Sequence, residues 1–322
     1  MSTGMISMGD EDAENLRMAH RLMENPGLVA KLSNLIGEPI EAGLKSLPEK
    51  VSKTISAAVE KAIYAALNVA LKTMDHDTRE NKDDSKAPSW WQKAASAAGG
   101  VVGGAFGAES DVPEVNAGPP KASNFWHKAA SATSGAVGGA FGLAAVAIEL
   151  PISTTIMMRS IADIARSEGE NLSDHDAQVA CVEVLAFGGK SKSDDGAEVG
   201  YFAVRQAMAA AVTDAVTYLA KGGTDTAGPA LVQLIRQIAQ RFGVVVSEKA
   251  VAQLIPIIGA ASGAAINTLF IDHFQDMARG HFTMRRLERK YGTSFIQAEY
   301  ERLSVLARPA DSSFSLPSSA SA

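Results

Sequence analysis

Residues Phe125–Gly189 read FWHKAASATSGAVGGAFGLAAVAIELPISTTIMMRSIADIARSEGENLSDHDAQVACVEVLAFGG. The first third is rich in Gly and Ala, and Ala129–Ile148 runs 20 residues without a charge. Small side chains let helices approach backbone to backbone. Gly135 with Gly139, and Gly138 with Gly142, have the four-residue spacing that lines such a contact. The helix leads into Glu149-Leu150-Pro151, where proline supplies no amide hydrogen and its ring collides with the carbonyl four residues back. A second helix follows, with Thr155, Arg159, Asp163 and Arg166 at spacings of three and four that put them on one face. A third, capped helix closes on ACVEVLAFGG. No alternating apolar–polar run stands out anywhere in the chain, so the pattern predicts an all-α fold, a multi-helix bundle with closely packed Gly/Ala-rich helices.

Toward the N-terminus, residues 1–13 are acidic and are expected to be disordered. The pattern from 14 to 74 is helical and expected to pack on the core. Its clearest piece is Pro48–Met74, where Val51, Ile55, Val59, Ile63, Leu67 and Leu71 recur every four residues and Pro48 suits the first turn. Residues 75–122 read as linkers, charged at first and then rich in Pro and polar residues, on either side of an extra helix at 90–107. That helix is an internal repeat. WQKAASAAGGVVGGAFG (91–107) and WHKAASATSGAVGGAFG (126–142) agree at 13 of 17 positions. Two copies are too few for a solenoid, so the repeat reads as a local duplication.

Toward the C-terminus, GGKSKSDDG (188–196) reads as a loop. Ala197–Lys221 reads as a helix whose Ala203, Ala207, Ala210, Ala211 and Val212 supply a small-residue face. Ala230–Arg241 is amphipathic through Leu231, Leu234, Ile235 and Ile238. Ser247 is expected to cap a further helix that Pro256 kinks or restarts, and Ser294 with Gln297 has the pattern of a capping box. The helical core is placed at 123–307, and the Ser/Pro-rich tail 308–322 is expected to be disordered.

Composition narrows the function classes. The 322 residues are 46% apolar but only 6% aromatic, so the core has to be built from Ala, Val, Ile and Leu. A net charge of −6 argues against nonspecific nucleic-acid binding, which needs a basic face. The lone Cys181 excludes an internal disulfide and any multi-cysteine metal motif, and its apolar neighbours point to an inert buried thiol. The first residues carry no apolar run, so a cytoplasmic protein is expected, peripheral at the inner membrane if it meets a bilayer at all.

Three stretches carry chemistry worth weighing. Ala129–Ile148 and the equally uncharged Val251–Ile271, which contains Gly259 and Gly263, are long enough to span a bilayer. Their Ser, Thr, Gln and Asn, and the weak hydrophobicity of Ala and Gly, favour close packing inside a bundle instead. GAVGGAFG lacks the Gly-Lys-Ser/Thr of a phosphate loop, and no strand precedes it. In the second stretch, Glu183 sits in an otherwise apolar helix and needs a cation, with Arg159 or Arg166 the expected partner; Glu149 poses the same problem. In the third, Asp272, Asp276 and Arg279 share a face and His273 lies three residues from Asp276. That spacing could offer metal ligands, but HExxH is absent, and helix-surface ion pairs are the simpler reading. No catalytic elbow or nucleophile pair is present in the sequence, and no cofactor or metal is assigned.

The three longest of these runs, GAVGGAFGLAAVAIELPISTTIMMRSIADIARSEGENLSD, ACVEVLAFGG and RFGVVVSEKAVAQLIPIIGAASGAAINTLFIDHFQDMARGHFTMRRLERKYG, closely resemble the EcsC protein family of bacteria. The likeness covers roughly 124–292 and is weaker before Asp75. The copy at 90–107 is an addition to the family pattern. The resemblance implies a gene beside an ABC transporter, an activity not established, and no catalytic residues to carry over. Two functional readings stand beside a plain structural domain. One is a noncatalytic accessory docking on a membrane surface or on ABC-transporter components. The other is a metal-dependent hydrolase or peptidase built from Glu149, Glu183, Asp272, His273 and Asp276.

Overall fold

The long helices follow from apolar stripes that neighbouring helices cover. The computed structural model describes residues 8–24, 28–36, 40–45, 47, 49–73, 143–189, 200–254 and 259–307. They form α1 (Asp10–Glu24), α2 (Leu28–Ile36), α3 (Ile40–Lys45), α4 (Glu49–Thr73), α5 (Leu143–Ser167), α6 (His175–Glu183), α7 (Tyr201–Ala220), α8 (Pro229–Leu254), α9 (Gly259–Tyr291) and α10 (Thr293–Ala307). No strand occurs among the described residues, so the fold is all-α. The linkers, both copies of the duplicated segment and the tail lie outside the described residues.

The centre of the bundle is a short element. From Ala177 to Phe187 every residue is buried, as α6 tightens into a single 3₁₀ turn at Val184–Ala186. A helix apolar on all sides has to be surrounded, and this one is: α4, α5 and α7 pack on α6, while α8 and α9 close over the 3₁₀ turn. Outside it, α4 and α5 form the most extensive helix pair, and Ile55, Val59, Ile63 and Leu67 of α4 are buried as their spacing predicts. α9 lies against α1, α5 and α10. Phe242 of α8 meets Phe270 and Phe274 of α9 with ring centroids 6.0 and 5.4 Å apart, contacts that add about 0.5–1.5 kcal/mol each to the area buried.

The structure departs from the sequence reading at several helix boundaries. α1 starts at Asp10, inside the stretch 1–13, because Asp12 finds partners on α9. Pro151 does not divide α5, which runs through it. The Ser153 and Thr155 hydroxyls donate to the Leu150 and Pro151 carbonyls at 3.1 and 2.8 Å, and packing on α4 and α9 carries the helix across the break. Ser247 is not a cap: α8 is continuous to Leu254, and the Ser247 hydroxyl donates to the Gly243 carbonyl 2.7 Å away. Leu254 is the last described residue of α8 and Gly259 the first of α9, so Pro256 lies outside the described residues. Nor do Ser294 and Gln297 form a box. α10 begins at Thr293 directly after Gly292, whose φ of +90° turns the chain out of α9, and Gln297 reaches forward to Glu301. On α7 the expected small-residue face is split: Ala203, Ala207 and Ala210 are exposed, Val212 is half-buried, and Ala211 packs inward with Val204, Met208, Ala215 and Leu219.

Candidate functional site

The last three turns of α9 read HFTMRRLERKY, with four cations between Arg285 and Lys290. Such a run usually faces solvent, but here three acidic elements converge on it. Arg285 grips Glu170 with both ends of its guanidinium, Nε to Oε1 at 2.8 Å and Nη2 to Oε2 at 3.2 Å, and also reaches Asp176. Arg289 binds the same Glu170 carboxylate and donates to the Glu168 carbonyl at 3.0 Å. Burial alone would raise the pKa of Glu170, whose side chain is 6% exposed; the two guanidiniums reverse that and hold it below its ordinary value. Arg286 donates to Glu168 at 2.7 Å and to Asp12 of α1 at 3.3 Å. Asp12 further accepts from Lys290 at 2.6 Å and from the Tyr291 hydroxyl at 2.7 Å. The Lys290 hydrogen bond, followed by that of Tyr291, brings its carboxyl down to about 2.

Deeper in, α7 supplies Tyr201 and Arg205. The Arg205 guanidinium donates to Glu288 at 2.7 Å and sits 5.3 Å over the Tyr201 ring, so the pair is oriented by stacking as well as charge. The Tyr201 hydroxyl lies 2.9 Å from Nδ1 of His281, whose ring is fully buried 4.9 Å from the Phe187 ring. Burial drives the pKa of His281 far below its usual value, with Arg205 and Arg285 pushing the same way, so the imidazole is neutral at pH 7. Beside them Glu183, 5% exposed at the end of α6, makes no side-chain hydrogen bond or ion pair among the described residues. Burial pushes its carboxyl up to about 7, against the pull of Arg205 and then Arg285. Glu183 thus differs from the neutral imidazole and phenol in having a carboxyl poised near neutrality. All three groups are buried.

The sequence-level candidates are scattered by comparison. Thr155 is half-buried and spends its hydroxyl on Pro151. Asp163 and Arg166 pair with each other at 2.9 Å on a half-exposed face of α5, and Arg159 is half-buried on the same helix. The cations that bear on Glu183 are therefore Arg205 and Arg285, in place of the expected Arg159 or Arg166. Asp276 accepts from Lys31 of α2 at 3.4 Å and from Arg279 at 3.1 Å. Asp272 is half-buried one residue before His273, which is 2% exposed and packs on the Gly188 backbone. Among the described residues no three His, Cys, Asp or Glu gather as metal ligands. Glu149 lies on α5 with its side chain outside the described portion. Gly259 and Gly263 fall in the first turns of α9, where side-chain surroundings are not described. Gly135, Gly138, Gly139 and Gly142 lie outside the described residues. Cys181 is fully buried, and burial pushes its thiol up, away from the reactive thiolate.

The residues the sequence reading passed over are Asp12, Glu170, Tyr201, Arg205, His281, Arg285 and Glu288. One signal was available. The cations of α9 and the acids DEDAE at the start of α1 are complementary in charge, and each run is too dense to be left alone.

Most of this cluster, though not Glu288, Arg289, Lys290 and Tyr291, falls in the span that comparison recognises. The model of the EcsC protein family matches residues 10–287, from the first residue of α1 to the last turns of α9. No curated protein and no solved structure matches the chain.

Proposed function

Since the chain belongs to the EcsC protein family, we propose that it is a noncatalytic cytoplasmic accessory that associates with a membrane surface or with components of an ABC transporter. The observation that carries this reading is how the charged cluster is used. Arg285, Arg286, Arg289 and Arg205 are each held by acids of the same chain, and Tyr201, His281 and Glu183 are buried. Groups arranged this way fix how helices register and leave recognition to the surface. Apolar side chains are available there: Met18 of α1 and Val305 and Leu306 of α10 are exposed on two helices that pack together. Among the described residues one helical segment, Val51–Lys72, is long and apolar enough to cross a bilayer. It is the helix that supplies much of the core, with 44% of its most apolar window buried. The proposed membrane contact is therefore peripheral.

The test is fractionation. The protein is expressed in bacteria, membranes are separated from cytosol, and the membranes are washed with high salt and then with carbonate. Recovery in the membrane fraction, resistant to salt and released by carbonate, is the expected result. Full recovery in the cytosol, with or without transporter components present, removes the membrane reading.

A further inference from the structure

The charge pairing around α6 leaves one acid over. Arg285 and Arg289 are taken by Glu170 and Asp176, and Arg205 by Glu288. Glu183, buried among them, has no ion pair or hydrogen bond of its own among the described residues. A carboxylate in that position would be an uncompensated buried charge, which is strongly unfavourable. We propose that Glu183 is a proton-binding position inside the bundle, and that its proton decides whether Arg205 is held by Glu288 alone or shared with Glu183.

The groups that face it from each packed element support this. On its own helix, Asp176 adds negative charge and Cys181 is a buried neutral thiol. From α7 come Arg205 and the neutral Tyr201, and from α9 come Arg285 and Glu288, with the neutral His281 bonded to Tyr201. Glu170 lies in the connection after α5, and Arg166 at the end of α5 acts on neighbouring Cys181. The described charges of α4 (Glu49, Lys53, Glu60, Lys61 and Lys72) are exposed and its Tyr64 is half-buried, while α8 carries the exposed Arg236 and the buried Arg241, Glu248 and Lys249. The negative groups Glu170, Asp176 and Glu288 already occupy the nearest guanidiniums. On losing its proton Glu183 has to compete for one of them, and Arg205 is the cation that acts on it most strongly. Because Arg205 sits on α7 and Glu288 on α9, the exchange changes what holds α7 to the bundle. This is a regulatory device of the fold, independent of any membrane role.

The sign follows from linkage. A group whose folded-state pKa lies above its unfolded value binds more protons when folded, so it stabilises below the unfolded pKa and loses that contribution as pH rises through the folded one. Glu183 moves from 4.5 to about 7, so its window lies between those values. His273 and His281 titrate with the opposite sign at acidic pH, so the comparison has to be with a variant that keeps them both. Glu183→Gln, an isostere of the protonated acid, serves. Relative to this variant, the wild-type folding equilibrium is expected to weaken on the order of a hundredfold between about pH 5 and about pH 8. Amide exchange across α7 should quicken over the same range in the wild type only. Parallel profiles for the two proteins would overturn the proposal. If the variant does not fold, the carboxyl carbon of Glu183 is titrated by NMR in the wild type. A midpoint near neutrality is expected, and one in the ordinary carboxylate range would overturn the proposal equally.

Discussion

Gly188 lies directly against the imidazole of His273: a Cβ built on Gly188 would fall inside the van der Waals surface of the ring, with Nε2 and Cε1 its nearest neighbours. The glycine also has φ +78°, where a side chain is strained whatever the space. Two independent constraints thus meet where the 3₁₀ turn leaves the core and touches α9. Gly188→Ala should cost about 2–4 kcal/mol, combining overpacking with a left-handed backbone. Denaturant unfolding measures it. The double variant Gly188→Ala/His273→Ala should recover part of the loss by opening the space, and simple additivity of the two effects would show that the contact is not where the cost arises.

Burial separates ion pairs that matter from those that do not. Glu170→Ala leaves Arg285 and Arg289 facing an empty, largely buried position and should destabilise by about 3–5 kcal/mol. Asp163→Ala breaks the half-exposed pair with Arg166 and should change stability by under about 1 kcal/mol. Chemical unfolding of the two variants side by side checks the contrast. Equal effects would contradict the burial argument.

α1 is tied to α9 by Asp12 more than by apolar area, since Leu16 and Ala19 are its only buried apolar residues. Asp12→Asn keeps the shape and weakens the bonds to Lys290 and Arg286. We expect a loss of about 1–2 kcal/mol that shrinks in high salt, as a partly exposed charge contact is screened. Unfolding at low and high ionic strength reads both quantities. A salt-independent loss would assign the effect to the Tyr291 hydrogen bond instead.

Acid should act through His273. Burial, with Lys31 adding to it and the Gly188 backbone opposing, brings the pKa of His273 from 6.5 to about 4. The unfolded chain therefore takes up a proton first, and stability falls as pH drops from about 6.5 through about 4, by about 2–3 kcal/mol over the window. His273→Ala lowers overall stability through the cavity it leaves but should flatten this slope. An unchanged slope would place the acid sensitivity on other groups.

How much of this is legible in the sequence depends on whether the cause is local. The α4 stripe from Ile55 to Leu67 and the α8 positions Leu231, Leu234, Ile235 and Ile238 follow from spacing alone, and the structure buries all of them. Pro151 and Ser247 mislead because tertiary packing outweighs a local stop or cap signal. The cluster is harder still. Arg205 and Glu288 are 83 positions apart, and Arg285 and Glu170 are 115 apart, so no helical spacing connects them. The need for a cation at Glu183 could be inferred from one apolar helix, but which cation answers depends on how α7 and α9 fold onto it.

The central claim is that the buried charges hold the bundle together and do not themselves meet a partner. The most direct test replaces one pair by neutral groups, Arg205→Met with Glu288→Gln, and measures unfolding and membrane fractionation on the same preparation. Each single variant should lose several kcal/mol, about 3–5, by stranding its partner, and the double variant should regain most of that. Its distribution between membrane and cytosol should match the wild type. A double variant that is as stable as the wild type but has lost its membrane association would contradict the account and make the Arg205–Glu288 pair part of a binding site.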